Sequence, residues 1–340
     1  MTLESESKRK KDIIILDMFR TLITGGIIRK NEIALREGKD VKTIGRYIED
    51  LQEYFFTASN NEDEYVMEIV KDKNVNGYVL QYRENAFMTK EEVLVIAKIL
   101  LESRALTKED MSILLKKITS NCCLKDRSEI EKIIFSEKIE YTEPNHKDND
   151  IIQKVWRLSE AVRKKNKVNI IYNKLGQEGK ADKKVNRMIL PQGVLFSEYY
   201  FYLIAVIDRE KDIDVTRLVP YRIDRILEYE ILEEKYRISE KDKVKEGEIR
   251  QLNQYMHFGE LDRVTFKFKG GSIEAILDKL PTAKVIREDN GEYIVRAKGY
   301  NEGIKMFLLS QGDRVEIIES MKFRKDMESS IEKMLYKYKE

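Results

Sequence analysis

Cysteine and histidine are scarce in this chain. Cys122 and Cys123 are its only cysteines and His146 and His257 its only histidines, in 340 residues. Neighbouring cysteines rarely form a disulfide of ordinary geometry, so a disulfide framework is excluded and the cytoplasm is the expected compartment. Neither histidine stands in a His/Cys/Asp spacing that holds zinc, and no metal or other cofactor is expected. No apolar run approaches the roughly 18 residues of a membrane span, and the amino terminus lacks the apolar core of about 7–15 residues that an export signal needs. An excess of charge of one sign is missing as well. The 63 Lys+Arg nearly cancel the 61 Asp+Glu, so any nucleic-acid site has to be a local patch rather than a basic chain.

What remains is the composition of a soluble globular protein, 42% apolar and 36% charged, long enough for two or three domains. Residues 11–136 read mostly as helices, 168–232 as strands, and 261–340 as mixed α/β. Glu137 to Asp150 is polar, contains Pro144 and has no apolar periodicity, and is the first linker candidate. Arg237 to Glu260 is the second, with partial order allowed. The "GQEGK" of Gly176 to Lys180 has the wrong spacing for a phosphate loop and lies between two strand-like runs, so it reads as a hairpin loop.

The sharpest local pattern is amino-terminal. Ile13 to Ile23 forms an amphipathic helix stopped by Gly25-Gly26. Asn31 is expected to cap a short second helix that ends at Gly38. Asp40 then caps a third, with Val41, Ile44, Ile48 and Leu51 as its apolar stripe. The opposite face of that helix would carry Lys39, Lys42, Thr43, Arg46 and Tyr47. A short helix, a tight turn and a helix with a cationic outer face suit a helix-turn-helix that reads DNA; an ordinary three-helix bundle with a solvated face is the alternative. Tyr65 to Tyr82 reads as two strands around "KDKNVNG", a wing that would lay Lys71 and Lys73 along the DNA backbone. Two helices capped by Thr89 and Thr107 follow. Their apolar residues Val93, Ile96, Ala97, Leu100, Met111, Leu114, Leu115 and Ile118 exceed what a small winged domain needs, which points to a dimer interface or to packing against a neighbouring domain.

Further along, Tyr199 to Ile207 is apolar on both strand faces. In the next run Tyr221, Ile223, Leu227, Tyr229 and Ile231 share one parity, with Arg225 among them. An arginine on an apolar face beside tyrosines is either a ligand cation or the partner of a carboxylate that closes the core. Arg222 has the other parity. The last 80 residues or so order as β-α-β-β-α-β, the ferredoxin-like order.

These residues resemble a bacterial family of transcription regulators with an amino-terminal winged helix-turn-helix and a WYL domain. The family's recognition-helix signature stands here as "VKTIGRYIEDL", with Thr43, Ile44, Arg46, Ile48 and Leu51 matching, Lys42 replacing an arginine and Tyr47 an aspartate. The WYL triplet is "FYL", Phe201 to Leu203, and the later signature is "YRIDRI", Tyr221 to Ile226. The carboxyl end resembles the WCX extension. The resemblance implies a multidomain α+β chain: a winged helix-turn-helix (1–85), a helical linker or dimerisation region (86–150), an SH3-like β-barrel WYL domain (151–236), a linker (237–260) and a ferredoxin-like WCX domain (261–340). It also implies a nucleotide or single-stranded nucleic acid as effector, with Tyr172, Arg187, Tyr200, Tyr202, Arg217, Tyr221, Arg222 and Arg225 as the candidate effector-binding residues. The expected protein is thus a homodimeric DNA-binding regulator and not an enzyme. A nucleic-acid or nucleotide-processing enzyme using the same pocket, or an interaction module that does not bind DNA, are the alternatives.

Overall fold

The computed structural model describes residues 10–59, 67–82, 88–122, 124–144, 150–175, 181–208, 217–238 and 244–339. They hold twelve α-helices and three antiparallel sheets and fall into two compact units, 1–143 and 144–340. Cys123, His146 and the expected hairpin loop at 176–180 lie outside the described residues.

The first unit opens with helices α1 (Lys11–Ile23), α2 (Lys30–Glu37) and α3 (Val41–Ser59). Ile14, Met18 and Leu22 of α1 meet Ile33 of α2 and Ile44, Ile48, Leu51 and Phe55 of α3 in one buried cluster, spaced as a helical stripe requires. Gly38 ends α2 in the left-handed conformation (φ 59°), where a residue without Cβ is least strained. Three expectations are corrected here. Asn31 lies inside α2, whose N-cap is Arg29. Val41, in the first turn of α3, projects beyond its neighbours and is 45% exposed. Tyr47 is on the inner face of α3, 9% exposed, because position 47 falls between Ile44 and Ile48 on one side and Leu51 on the other.

Strands β1 (Met67–Asp72) and β2 (Gly77–Tyr82) form the hairpin, in register Asp72 opposite Gly77. Helices α4 (Lys90–Ser103) and α5 (Lys108–Thr119) follow. Thr89 makes a capping box with Glu92, and the Thr107 hydroxyl accepts the Asp110 N–H, as their sequences foretell. With α6 (Leu124–Ile133) and α7 (Phe135–Ile139) these helices bury Val93, Ala97, Leu101, Met111, Leu115, Ile130 and Ile134. Ile96 points outward. The first expected linker therefore begins later than Glu137: α7 runs to Ile139, and the buried Tyr141 donates its hydroxyl proton to the Leu106 carbonyl at 2.7 Å.

The second unit begins with α8 (Ile151–Lys164), then β3 (Asn166–Leu175), β4 (Ala181–Ser197), β5 (Tyr200–Ile207), β6 (Val219–Arg222) and β7 (Ile226–Lys235). The sheet order is β6-β5-β4-β3-β7, so consecutive strands β6 and β7 occupy opposite edges. In a flat sheet those edges would stand about 19 Å apart, four strand spacings. Only the 3₁₀ turn Ile223–Arg225 joins them, and four Cα steps reach about 14 Å at most. The sheet therefore curls, bringing the end of β6 and the start of β7 within reach of that turn. Val168, Ile170, Ile189, Leu203, Ala205, Ile223 and Ile226 are fully buried. Lys154 of α8 donates from Nζ to the Ile226 carbonyl at 2.7 Å, just past the turn. The Tyr236 hydroxyl donates to the Pro191 carbonyl, and burial pushes its pKa up to about 12.

The stretch expected as the second linker is packed from residue 244 onward. It contains α9 (Glu246–Leu252); the Glu246 carboxylate accepts the Val194 N–H at 3.0 Å, and Ile249 and Met256 are buried against Leu195 and Ile204. The chain then forms β8 (Leu261–Phe268), α10 (Ile273–Lys279), β9 (Lys284–Asp289), β10 (Glu292–Tyr300), α11 (Asn301–Ser310), β11 (Val315–Glu319) and α12 (Met321–Tyr336). Its sheet order is β11-β8-β10-β9, over a core that includes Val264, Phe266, Phe268, Val295, Ile304, Leu308 and Phe323.

Candidate functional sites

In the first unit the candidate nucleic-acid face is the outer side of α3. Asp40 fixes where the helix starts: one carboxylate oxygen accepts the Thr43 N–H at 2.8 Å and the other the Thr43 hydroxyl at 2.7 Å. Those hydrogen bonds hold the Asp40 carboxyl below its usual range. The Thr43 hydroxyl proton is thereby engaged, while Lys42 and Arg46 are exposed and Lys39 is half-buried. Lys71 and Lys73 are exposed on the hairpin. Tyr47 leaves this set, its ring being part of the core with the Lys11 ammonium 5.6 Å from its centroid.

In the second unit the candidate residues divide between the two faces of the curled sheet. Tyr200 and Tyr202 of β5 share a face with Arg222, which stands opposite Tyr202 in the register. The Arg222 guanidinium lies 3.3 Å from the centroid of the Tyr200 ring, a close cation–π contact. It also forms a two-pronged pair with Asp224, Nε to Oδ1 at 3.1 Å and Nη2 to Oδ2 at 2.6 Å. The two side chains are 15% and 5% exposed. Tyr202 packs beside the cluster of Leu195, Ile204, Ile249 and Met256, and burial raises its phenol pKa against the opposing pull of Arg222.

Tyr221 stands opposite Leu203 on the inner face, 4% exposed. It meets the Tyr172 ring edge-on at 5.1 Å between centroids. Burial also raises the Tyr172 phenol pKa; Arg225 opposes this by charge and by a side-chain hydrogen bond, and the backbone of Arg222 by another. Arg187 is half-buried opposite Ile170. Arg217 is exposed and follows directly on residues outside the described set. The WYL-triplet ring of Phe201 faces away from Tyr200 and Tyr202 and packs on Phe196 at 5.2 Å.

One reading of this region is corrected: Arg225 is not on a strand face, since it ends the 3₁₀ turn, where strand alternation stops. Of the two roles open to it, the partner of a carboxylate finds no match, because Arg225 forms no ion pair among the described residues, whereas Asp224 pairs with Arg222. Strand parity gives no sign of Asp224, because it does not extend to an i,i+2 pair across a turn. The contact of Lys154 is hidden in the sequence for a related reason, its partner being 72 residues away.

Among the described residues no group of three or more His, Cys, Asp or Glu could hold a metal ion, and no helix is long and apolar enough to cross a membrane.

Comparison with known families finds a WYL domain at residues 153–231, the span from α8 to β7. No curated protein matches. Among solved structures the chain is similar to proteasome accessory factor B/C (PafBC) of Arthrobacter aurescens, at 14% identity and a TM-score of 0.27 over 93% of this chain. The chain spans 45% of the length of that protein. It is also similar to a CRISPR Cas-related protein, at 13% identity and a TM-score of 0.39 over 75% of each chain.

Proposed function

We propose that this chain is a homodimeric DNA-binding transcription regulator whose WYL domain senses a nucleotide or single-stranded nucleic acid. The observation that carries the reading is the pairing, in one chain, of a WYL domain with a three-helix unit and hairpin whose α3 exposes Lys42 and Arg46. We read residues 1–85 as a winged helix-turn-helix, 86–150 as a helical dimerisation region, 151–236 as an SH3-like WYL barrel and 261–340 as a ferredoxin-like WCX domain.

In the WYL domain the two arginines would have different work. Arg222 is already matched in charge by Asp224 and covered by Tyr200, so it orders the turn. Arg225, near enough to Tyr172 for its charge to oppose the rise in that phenol's pKa and without an ion pair among the described residues, is the better phosphate cation. An effector that favours one arrangement of the dimer shifts the DNA-binding equilibrium by its difference in affinity between arrangements, and by no more.

The test is to purify the protein, denature it and identify any nucleotide or oligonucleotide released, then to add that molecule back while measuring binding to duplex DNA. The reading expects a changed DNA affinity. Turnover of the added molecule would favour an enzyme instead, and no DNA binding under any condition would favour an interaction module.

A further inference from the structure

A cleft of about 310 Å³ lies in the first unit where the start of α2, the start of α3 and the hairpin meet. Arg29, Lys30 and Lys71 line it, against a single acid, Glu32. Arg29 and Lys30 belong to no part of the DNA-reading pattern in the sequence.

The cleft is built rather than incidental. Ile28 and Tyr78 exchange both backbone hydrogen bonds, at 2.9 and 2.8 Å, and so pin the hairpin beside the residues that lead into α2. Gly77 permits that approach: a Cβ there would lie 2.3 Å from Ile27 Cγ2 and 3.0 Å from the Ile28 carbonyl oxygen. The Lys30 ammonium sits 4.9 Å from the centroid of the Tyr78 ring. Lys71 is the cross-strand partner of Tyr78, so its side chain leaves the same face of the hairpin as that ring.

The Lys30 ammonium thus lies against an aromatic ring that shares its hairpin face with the Lys71 side chain. Among the described residues neither Lys30 nor Lys71 forms an ion pair. Glu32, the one acid in the lining, is 3.5 Å from Arg29. With Glu32 set against Arg29 and the two lysines left without an acid in the lining, the like charges of Lys30 and Lys71 favour an anion between them. Val41 closes the cleft at the start of α3, and Lys42 and Arg46 continue the cationic surface along that helix. A track of this kind fits a polyanion better than one small ion.

We propose that the cleft seats a phosphate of the DNA backbone, held by Lys30 and Lys71 with Arg29 beside them, and that it sets the register in which α3 meets the bases. This rests on the DNA-binding reading above. The phosphate chemistry alone would also admit a free polyphosphate, and the experiment separates the two.

Binding of a fluorescent random-sequence duplex is measured by anisotropy over a series of KCl concentrations, for the wild type, for Lys30→Ala with Lys71→Ala, and for Lys42→Ala with Arg46→Ala. Each cation lost from a phosphate flattens the log–log salt dependence by about 0.9. The Lys30/Lys71 variant should therefore lose about 1.8 from the slope and bind at least about tenfold more weakly at low salt. Lys71→Gln alone, at an exposed position, should lose about half as much slope and guards against misfolding of the double variant. An unchanged slope in the Lys30/Lys71 variant, with a flattened one in the Lys42/Arg46 variant, overturns the cleft and leaves the DNA-binding reading standing. A wild type that does not bind the duplex removes both. Tripolyphosphate that displaces the duplex at equal concentration, and stops doing so in the Lys30/Lys71 variant, would make the cleft a small-anion site and overturn the proposal.

Discussion

Two arginines three residues apart have different surroundings, Arg222 in a close ion pair with Asp224 and Arg225 with no ion pair among the described residues. Removing Arg222 leaves Asp224, 5% exposed, without its partner, and a stranded carboxylate in a part-buried site costs about 3 kcal/mol. Arg222→Ala should therefore lower the melting temperature of the second unit markedly. Arg225→Ala should leave it nearly unchanged and weaken binding of a single-stranded DNA oligonucleotide about ten- to a hundredfold, the value of a charged hydrogen bond to phosphate. Thermal unfolding and oligonucleotide titration of both variants check this; the reverse pattern would make Arg225 the strut. Asp40 offers a test by pH. Its carboxyl is held below the ordinary range by Thr43 in the folded protein, so it takes up its proton more readily when unfolded. Its contribution is full above the ordinary carboxylate pKa and is lost as pH falls through the lowered folded value. In Asp40→Asn the melting temperature should depend less on pH in that acid window, and should match the wild type's dependence near neutrality. Equal acid slopes would show that the cap is not formed in solution.

At the scale of elements, much was legible because the signals are local. Thr89 and Thr107 announce their helices through caps three residues long, "KDKNVNG" announces the hairpin tip, and the order of the elements from β8 to α12 follows from alternating periods. What was not legible depended on distant partners. Tyr47 looks polar and outward until α1 is laid against α3. Arg225 sits on a strand face only if the strand runs on, and the turn at Ile223–Arg225 resets the alternation because the chain crosses there from one edge strand to the other. The cationic cleft joins Arg29 and Lys30 to Lys71 across some forty residues, beyond any local pattern. Gly45 shows the same dependence. It interrupts α3, where glycine costs about 1 kcal/mol against alanine, and a Cβ there would meet the end of the Lys30 side chain, Nζ at 3.3 Å and Cε at 4.0 Å. The end of a lysine yields by a few tenths of an ångström, so Gly45→Ala should raise stability by about 0.5–1 kcal/mol. Chemical denaturation measures it; a clear loss of stability would mean that Lys30 is held too firmly to move.

At the scale of the whole molecule, the proposed regulator joins a DNA-reading unit to a WYL domain and should be a dimer, so that two copies of α3 reach two half-sites. Val95 and Ile99 on α4, with Phe135 and Ile139 on α7, are exposed apolar residues in the region read as the dimerisation segment. The most direct measurement is selection by the purified full-length protein from a pool of random duplexes, followed by sequencing of what is retained. The account predicts enrichment of an inverted repeat with its half-sites about one or two helical turns apart, and loss of that enrichment in the Lys42→Ala, Arg46→Ala variant while its melting temperature stays unchanged. A pool returned unenriched by the wild type, or the same repeat retained by the variant, would contradict it.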